Sequence, residues 1–177
     1  MKYLYVTRHG QTAFNAEERV CGSTNIPLTE TGIRQAAEMA QKAAAFGDIE
    51  KIIASPMIRA QQTAEAVSHA LGLPIETDPR LREWDYGDFE GKSRLTSGFQ
   101  EAKAEFGCKM PGGESVFQVV FRTYSLIEEL KHCSENTILV CHGGVARVID
   151  SYFYDMSIDR FMHFFMSNCE IKRYAMK

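Results

Sequence analysis

The sequence predicts an α/β fold with a largely parallel sheet. Three observations predict it. Short β-branched and aromatic runs alternate along the chain with segments whose apolar residues recur at helical spacing. Clusters of Gly, Pro and Asn punctuate the joins between them. No repeat, low-complexity tract or linker interrupts the alternation, so a single domain over residues 1–177 is expected.

Residues 2–7, KYLYVT, read as a buried first strand. The stretch CGSTNIPLTETG carries loop chemistry, and Thr29 at its end is placed to cap a helix. In that helix Ile33, Ala36, Ala37, Ala40, Ala43 and Ala44 share one face, and Gly47-Asp48 closes it. KIIAS is a second strand. Ser55-Pro56 then reads as a helix start, with Ser as N-cap and Pro in the first turn, and the helix runs to about Leu71 before Gly72. Residues 73–76, LPIE, make a short third strand. The charged segment DPRLREWDYGDFEGK is irregular, and residues 93–106 are weakly helical. From Ser115 to about Lys131 the positions of Val116, Val119, Val120, Ile127 and Leu130 predict another helix. NTILVCHGG is a strand ending in His142 and two glycines, a helix follows from Val145 to Tyr154, and CEIKRYAM alternates as an edge strand does.

Composition narrows the function. The 177 residues are 45% hydrophobic and 24% charged, which is ordinary for a globular chain able to bury its own core. A net charge of -3 and a pI near 6.0 give no basic footprint for nucleic acid. The five cysteines, Cys21, Cys108, Cys133, Cys141 and Cys169, are scattered without a C-x-x-C pair. That predicts reduced thiols rather than a disulfide framework or a zinc site. The N-terminal apolar run is too short for a signal peptide and is interrupted by Arg8, and no stretch approaches the ~20 apolar residues of a membrane span. A cytoplasmic setting is expected.

In open α/β sheets, ligands gather in the crevice beyond the carboxyl ends of the strands. Arg8-His9-Gly10 ends the first strand there, Arg59 lies one turn into the helix after KIIAS, and His142-Gly143-Gly144 ends TILVC. Each piece alone has a bland reading, as a chance tripeptide, an ion-paired arginine or a satisfied core histidine. Together they read differently. Guanidinium groups match phosphoryl oxygens, and a helix N-terminus favours an anion. Neighbouring positive charge holds an imidazole neutral, with a lone pair that can attack phosphorus. Glu83, on the irregular segment, can supply a proton to a leaving alcohol and later activate water.

The segments RHGQTAFN, PLTETGIRQA, IIASPMIRAQQTAEAV, LREWDYGDFEG, PGGES and LVCHGGVAR, in this order and spacing, resemble the histidine phosphatase superfamily in its phosphoglycerate-mutase-like branch. The resemblance runs almost end to end. It implies a three-layer α/β/α sandwich with a mixed, mostly parallel central sheet. It also implies His9 as the nucleophile that becomes a phosphohistidine, with Arg8, Arg59 and His142 holding the phosphoryl oxygens. Glu83 becomes the proton donor, Asn15 lines the phosphate pocket, and Gly143 offers a backbone N–H. No metal or other cofactor is implied. Gln11 and Phe14 stand where Glu and Trp are frequent in the family, and both are expected to alter packing at the pocket edge.

The related mutases are longer and carry an insertion with an Arg-Arg pair for a substrate carboxylate. Here residues 91–111 are few, and the cations Lys92, Arg94, Lys103 and Lys109 read as dispersed. This favours a phosphatase acting on a small phosphorylated metabolite, such as an α-ribazole phosphatase or a broad-specificity sugar-phosphate phosphatase. The alternatives are a cofactor-dependent phosphoglycerate mutase and, in another class, a protein that binds a phosphorylated ligand without turnover. Phe14, Trp84, Tyr86 and Phe89 are candidates to line the pocket. The edge strand leaves room for a homodimer as well as a monomer. A neutral His9 implies a loss of activity on acidification between pH 8 and 5.

Overall fold

The computed structural model describes residues 2–176. Five strands form one sheet: β1 (Lys2–Arg8), β2 (Lys51–Ala54), β3 (Ile75–Thr77), β4 (Thr137–Cys141) and β5 (Ile171–Met176), in the order β3-β2-β4-β1-β5. The first four are mutually parallel and β5 runs antiparallel along β1. The sheet is therefore mixed and mostly parallel, with the C-terminal strand at its edge as the sequence predicts.

Side chains alternate across this sheet, which builds two cores. Tyr5, Ile52, Ala54, Ile138 and Val140 point to one face. There they meet α2 (Glu30–Phe46) and α3 (Ile58–Leu71). Leu4, Val6, Ile53, Leu139 and Cys141 point to the other. That face is covered by α5 (Val116–Lys131) and α6 (Gly143–Phe153), with the short helices α4 (Phe99–Ala104) and α7 (Ile158–His163) beside them. The result is the three-layer sandwich. A one-turn helix, α1 (Ala13–Ala16), follows β1. No helix among the described residues is long and apolar enough to cross a membrane.

Local chemistry sets most element ends. Thr29 Oγ1 accepts from Gly32 N and caps α2, and Gly47 closes that helix at φ 72°. Ser115 and Gln118 form a capping box on α5. Two details differ from the sequence reading. The buried face of α2 runs through Gly32, Ala36, Met39, Ala40 and Ala43, which leaves Ile33 and Ala37 exposed. Gly32 lets the helix start against the backbone of Gln11, and this close seat rotates the next residue outward. The second difference is at α3. It begins at Ile58, not at Ser55-Pro56, and Met57 is its N-cap without a side-chain bond. Ser55 has another partner, described below.

Candidate active site

The carboxyl ends of the three central strands finish level. Arg8 pairs with Cys141 and Ala54 with Val140. The next residue of each strand is then pinned there: His9 N donates to Cys141 O at 3.0 Å, and Ser55 N donates to Val140 O at 3.0 Å. The strand ends thus bring the side chains of His9, Ser55 and His142 to one place without a turn.

Arg59, the second residue of α3, sits between the two histidines. Its Nε donates to His9 Nε2 at 3.2 Å and to His142 Nδ1 at 3.2 Å. Both ring nitrogens therefore accept. The opposite nitrogens fix the tautomers. His9 Nδ1 lies 2.7 Å from Gly10 O, which can only accept, so the proton is on Nδ1. His142 Nε2 donates to Ser55 Oγ at 2.8 Å. The imidazoles stand edge to face with centroids 5.0 Å apart.

Burial, then the charges of Arg59 and Arg8, hold the His9 imidazole well below its ordinary value, against a smaller opposite pull from the Gly10 carbonyl. Burial and then Arg59, with His9, Arg122 and Arg8, do the same to His142. Both rings are neutral in the folded state at neutral pH. Protonation of His9 is thereby pushed toward the acid side of its ordinary range. The ordinary group titrates near 6.5, and the folded values lie beneath it. The unfolded chain therefore binds protons that the folded chain refuses once the pH drops through about 6.5. Stability is full above that value and is lost as the pH falls, by up to roughly 3 kcal/mol per pH unit for the two groups together. Urea unfolding at pH 7 and pH 5 measures this. An equal midpoint at both contradicts the buried neutral pair.

Glu83 closes the site from the irregular segment after β3. Its side chain is buried, with Oε1 accepting from Trp84 N at 2.8 Å and Oε2 from Gly144 N at 2.9 Å. Gly144 lies in the first turn of α6, so the carboxyl group sits on a helix N-terminus. Only glycine permits this approach, because a Cβ there would stand 2.5 Å from Glu83 Oε1. Gly143 packs against Arg8. Asn15 Oδ1 accepts from Thr12 N and from Asn168 Nδ2, leaving the Asn15 amide nitrogen as the donor this residue can offer.

A cavity of about 140 Å³ opens over these groups, lined by Arg8, His9, Asn15, Glu83 and Gly143 among others. Arg8 Nη1 is tied to Met166 O at 2.8 Å, while its buried Nε has no hydrogen-bond partner. All the predicted site residues come together, but in two layers. Arg59 and His142, each 0% exposed, support His9 from behind and form none of the cavity wall.

The outer wall corrects the sequence reading in three respects. Arg94 and Lys103 are not dispersed, since both line the cavity beside Arg147; Lys92 and Lys109 are exposed and outside it. Of the four aromatic candidates only Tyr86 lines the cavity, joined by Phe99, Phe164 and Phe165. Trp84 is core, with Nε1 donating to Glu114 O, and Phe14 lies under Arg19. Gln11 is also away from the pocket edge, where its side chain accepts from Thr29 at the start of α2. Ser55 and Arg147 were missed as site residues, the first because Ser-Pro resembles a helix cap and the second because its position on α6 reads as core.

A family model described as the histidine phosphatase superfamily, branch 1, matches residues 4–177. The chain belongs to that superfamily. The Yersinia pestis (strain Pestoides F) protein named "Probable phosphoglycerate mutase GpmB" is 32% identical over 182 residues, covering 98% of this histidine phosphatase superfamily chain and 84% of that protein. Among solved structures, a mycobacterial glucosyl-3-phosphoglycerate phosphatase superposes with a TM-score of 0.86 at 26% identity, covering 98% of this chain and 92% of that one. A phosphoserine phosphatase from Entamoeba histolytica, solved with 3-phosphoglyceric acid, gives a TM-score of 0.86 at 25% identity over 99% and 91% of the two chains. Phosphatases and a mutase-named protein thus share this superfamily fold with the chain.

Proposed function

We propose that the chain hydrolyses a small phosphomonoester through a phosphohistidine on His9. The observation that carries this is the tautomer of His9: Nδ1–H is spent on Gly10 O, so the lone pair lies on Nε2, where it accepts from Arg59 Nε in a cationic, buried setting. Phosphoryl oxygens are better acceptors for Arg59 Nε than an imidazole nitrogen, so an incoming phosphate takes over that one N–H, with both Nη atoms still held, and frees the lone pair. Nε2 attacks phosphorus, the bond to the alcohol oxygen breaks, and Glu83 gives that oxygen its proton. Water then attacks the phosphohistidine and passes its proton back to Glu83 as the N–P bond breaks. His9 and Glu83 return to their starting forms. The unpaired Nε of Arg8, the Asn15 amide and the N-terminus of α6 stabilise the transferring group.

The wall of the cavity suggests the substrate class. Arg94, Lys103 and Arg147 face a space that already has Arg8 for the phosphate. Arg147 is 8% exposed, and its Nε and Nη1 have no partner. Burial, then Arg147 and Arg94, lower the Lys103 ammonium to about 8, against a smaller pull from Glu83. Such crowded cations suit a phosphomonoester with a second anionic group, such as a carboxylate. The same cations favour one other reading, a mutase working on a phosphorylated acid, as the name of the Yersinia relative also suggests.

One experiment separates these. The protein, in the presence of EDTA, is given 4-nitrophenyl phosphate, 3-phosphoglycerate and glycerol 3-phosphate, and both phosphate release and 2-phosphoglycerate are scored. Release from all three is expected, with kcat/KM for 3-phosphoglycerate about 10- to 100-fold above that for glycerol 3-phosphate, the worth of one charged hydrogen-bonded contact. Formation of 2-phosphoglycerate without phosphate release overturns the hydrolase in favour of the mutase. No turnover of any of the three overturns both.

A further inference from the structure

We infer that Glu90, which lies outside the cavity, is the positioning residue that aims Arg59 at the two histidines. One carboxylate gathers five donors. Oε2 accepts from Gly22 N at 3.0 Å, Thr24 N at 3.2 Å and Thr24 Oγ1 at 2.6 Å, and Oε1 accepts from Ser23 N at 2.9 Å and Tyr86 N at 3.2 Å. The loop that it gathers holds Arg59 by its carbonyls. Arg59 Nη1 donates to Thr24 O at 2.7 Å and Nη2 to Gly22 O at 2.7 Å. Each guanidinium nitrogen therefore has a fixed acceptor, and Nε is left in the plane that reaches His9 and His142. Gly22 is seated so closely against Trp84 O and Glu90 Oε1 that a Cβ there would overlap both.

The arrangement has a clear physical purpose. Among the described residues Arg59 forms no ion pair, although it is fully buried. A carboxylate directly on it would cancel the charge that a phosphoryl group needs. Placing Glu90 one peptide layer back fixes the geometry and leaves the charge facing the site. The groups facing the two imidazoles are Arg8 from β1, Arg59 from α3, Arg122 from α5, each other, and Glu83 nearby. Of the charged ones, Arg59 has the largest effect on both rings.

This inference takes the reading of His9 as nucleophile from the proposed function, and its test separates the two. Glu90→Gln and Glu90→Ala release the loop, since an amide turns an NH2 group toward backbone N–H donors. The expected results are a loss of kcat/KM on 4-nitrophenyl phosphate of about 10- to 100-fold, as for other outer-layer partners, and a movement of the acid limb of the pH profile to higher pH. The ring signals of His9 and His142, followed by NMR, titrate at higher pH in step. Arg59→Met moves the same signals the same way, and combining it with Glu90→Gln adds nothing further. Thr24→Val removes one donor only and produces a smaller movement in the same direction, which keeps the test available if Glu90→Ala does not fold. Unmoved ring titrations in folded Glu90→Gln and Thr24→Val overturn the inference, as does full additivity with Arg59→Met. Normal turnover in His9→Ala would instead overturn the nucleophile reading, and the ring titrations would still decide the role of Glu90.

Discussion

His9→Ala is expected to lower kcat on 4-nitrophenyl phosphate by about 10⁴-fold or more, the scale seen when a covalent nucleophile is removed from a site whose other parts remain. Water can still enter, but it meets phosphorus without the oriented nitrogen that makes the first step intramolecular. The loss appears in kcat, since Arg8 and the start of α6 still bind the phosphate. An acid-labile phosphoryl group, expected on the unaltered protein during turnover, should be missing from His9→Ala. The substitution also leaves Gly10 O without its donor and frees the Nε of Arg59 on one side. Melting should therefore be compared before rates are. A folded His9→Ala protein retaining more than about 1% of activity would remove His9 from the mechanism.

The second large effect is expected from Glu83→Gln, and it depends on the leaving group. An alkoxide needs a proton as the P–O bond breaks, whereas a nitrophenolate does not. General acid catalysis is worth roughly 10²–10⁴-fold, so loss on glycerol 3-phosphate should reach that range. The aryl ester should instead release a burst of nitrophenol equal to the enzyme present, followed by a slow steady rate. The first step no longer needs Glu83, but hydrolysis of the phosphohistidine still does. Equal losses on both esters without a burst would show that Glu83 serves another purpose. The amide also loses one of two backbone bonds, because the two carboxyl oxygens accept from Trp84 N and Gly144 N and an amide oxygen replaces only one acceptor. A cost of about 1–3 kcal/mol in stability follows.

The layers of the fold and the inner site were legible because they depend on short-range rules. Alternation in YLYVT and TILVC places the strands, and the residue just past a strand end points into the crevice. Arg8, His9 and His142 follow from that geometry. What could not be read is what depends on rotation and on distant partners. Ser55 looked like a helix cap because Ser-Pro fits one, yet its hydroxyl bonds His142 across the sheet. Arg94, Lys103 and Arg147 are far apart in sequence and on two different helices and a turn, so their convergence needed the third dimension. Glu90 was invisible for the same reason: its partners lie near residues 22–24, and no periodicity links them. Ile33 was misassigned because alanines on several faces of α2 fit more than one rotation, and the seat of Gly32 decided it.

The place of β1 in the sheet has a consequence for how the molecule is made. Leu4 in β1 is flanked by Thr137 of β4 and Tyr174 of β5, so the first strand synthesised has neighbours that are synthesised last. His9 shares this history: its amide waits for Cys141 O and its carbonyl for Asn168 Nδ2. On the ribosome, β2, β3, α2 and α3 can associate while His9 still hangs on an unpaired strand. Contacts of this sequence separation close slowly. The strand end that carries His9 is therefore seated only after β4 has been made. A nascent chain halted before β4 would carry Arg8, His9, Arg59 and Glu83 without the strand against which His9 is seated.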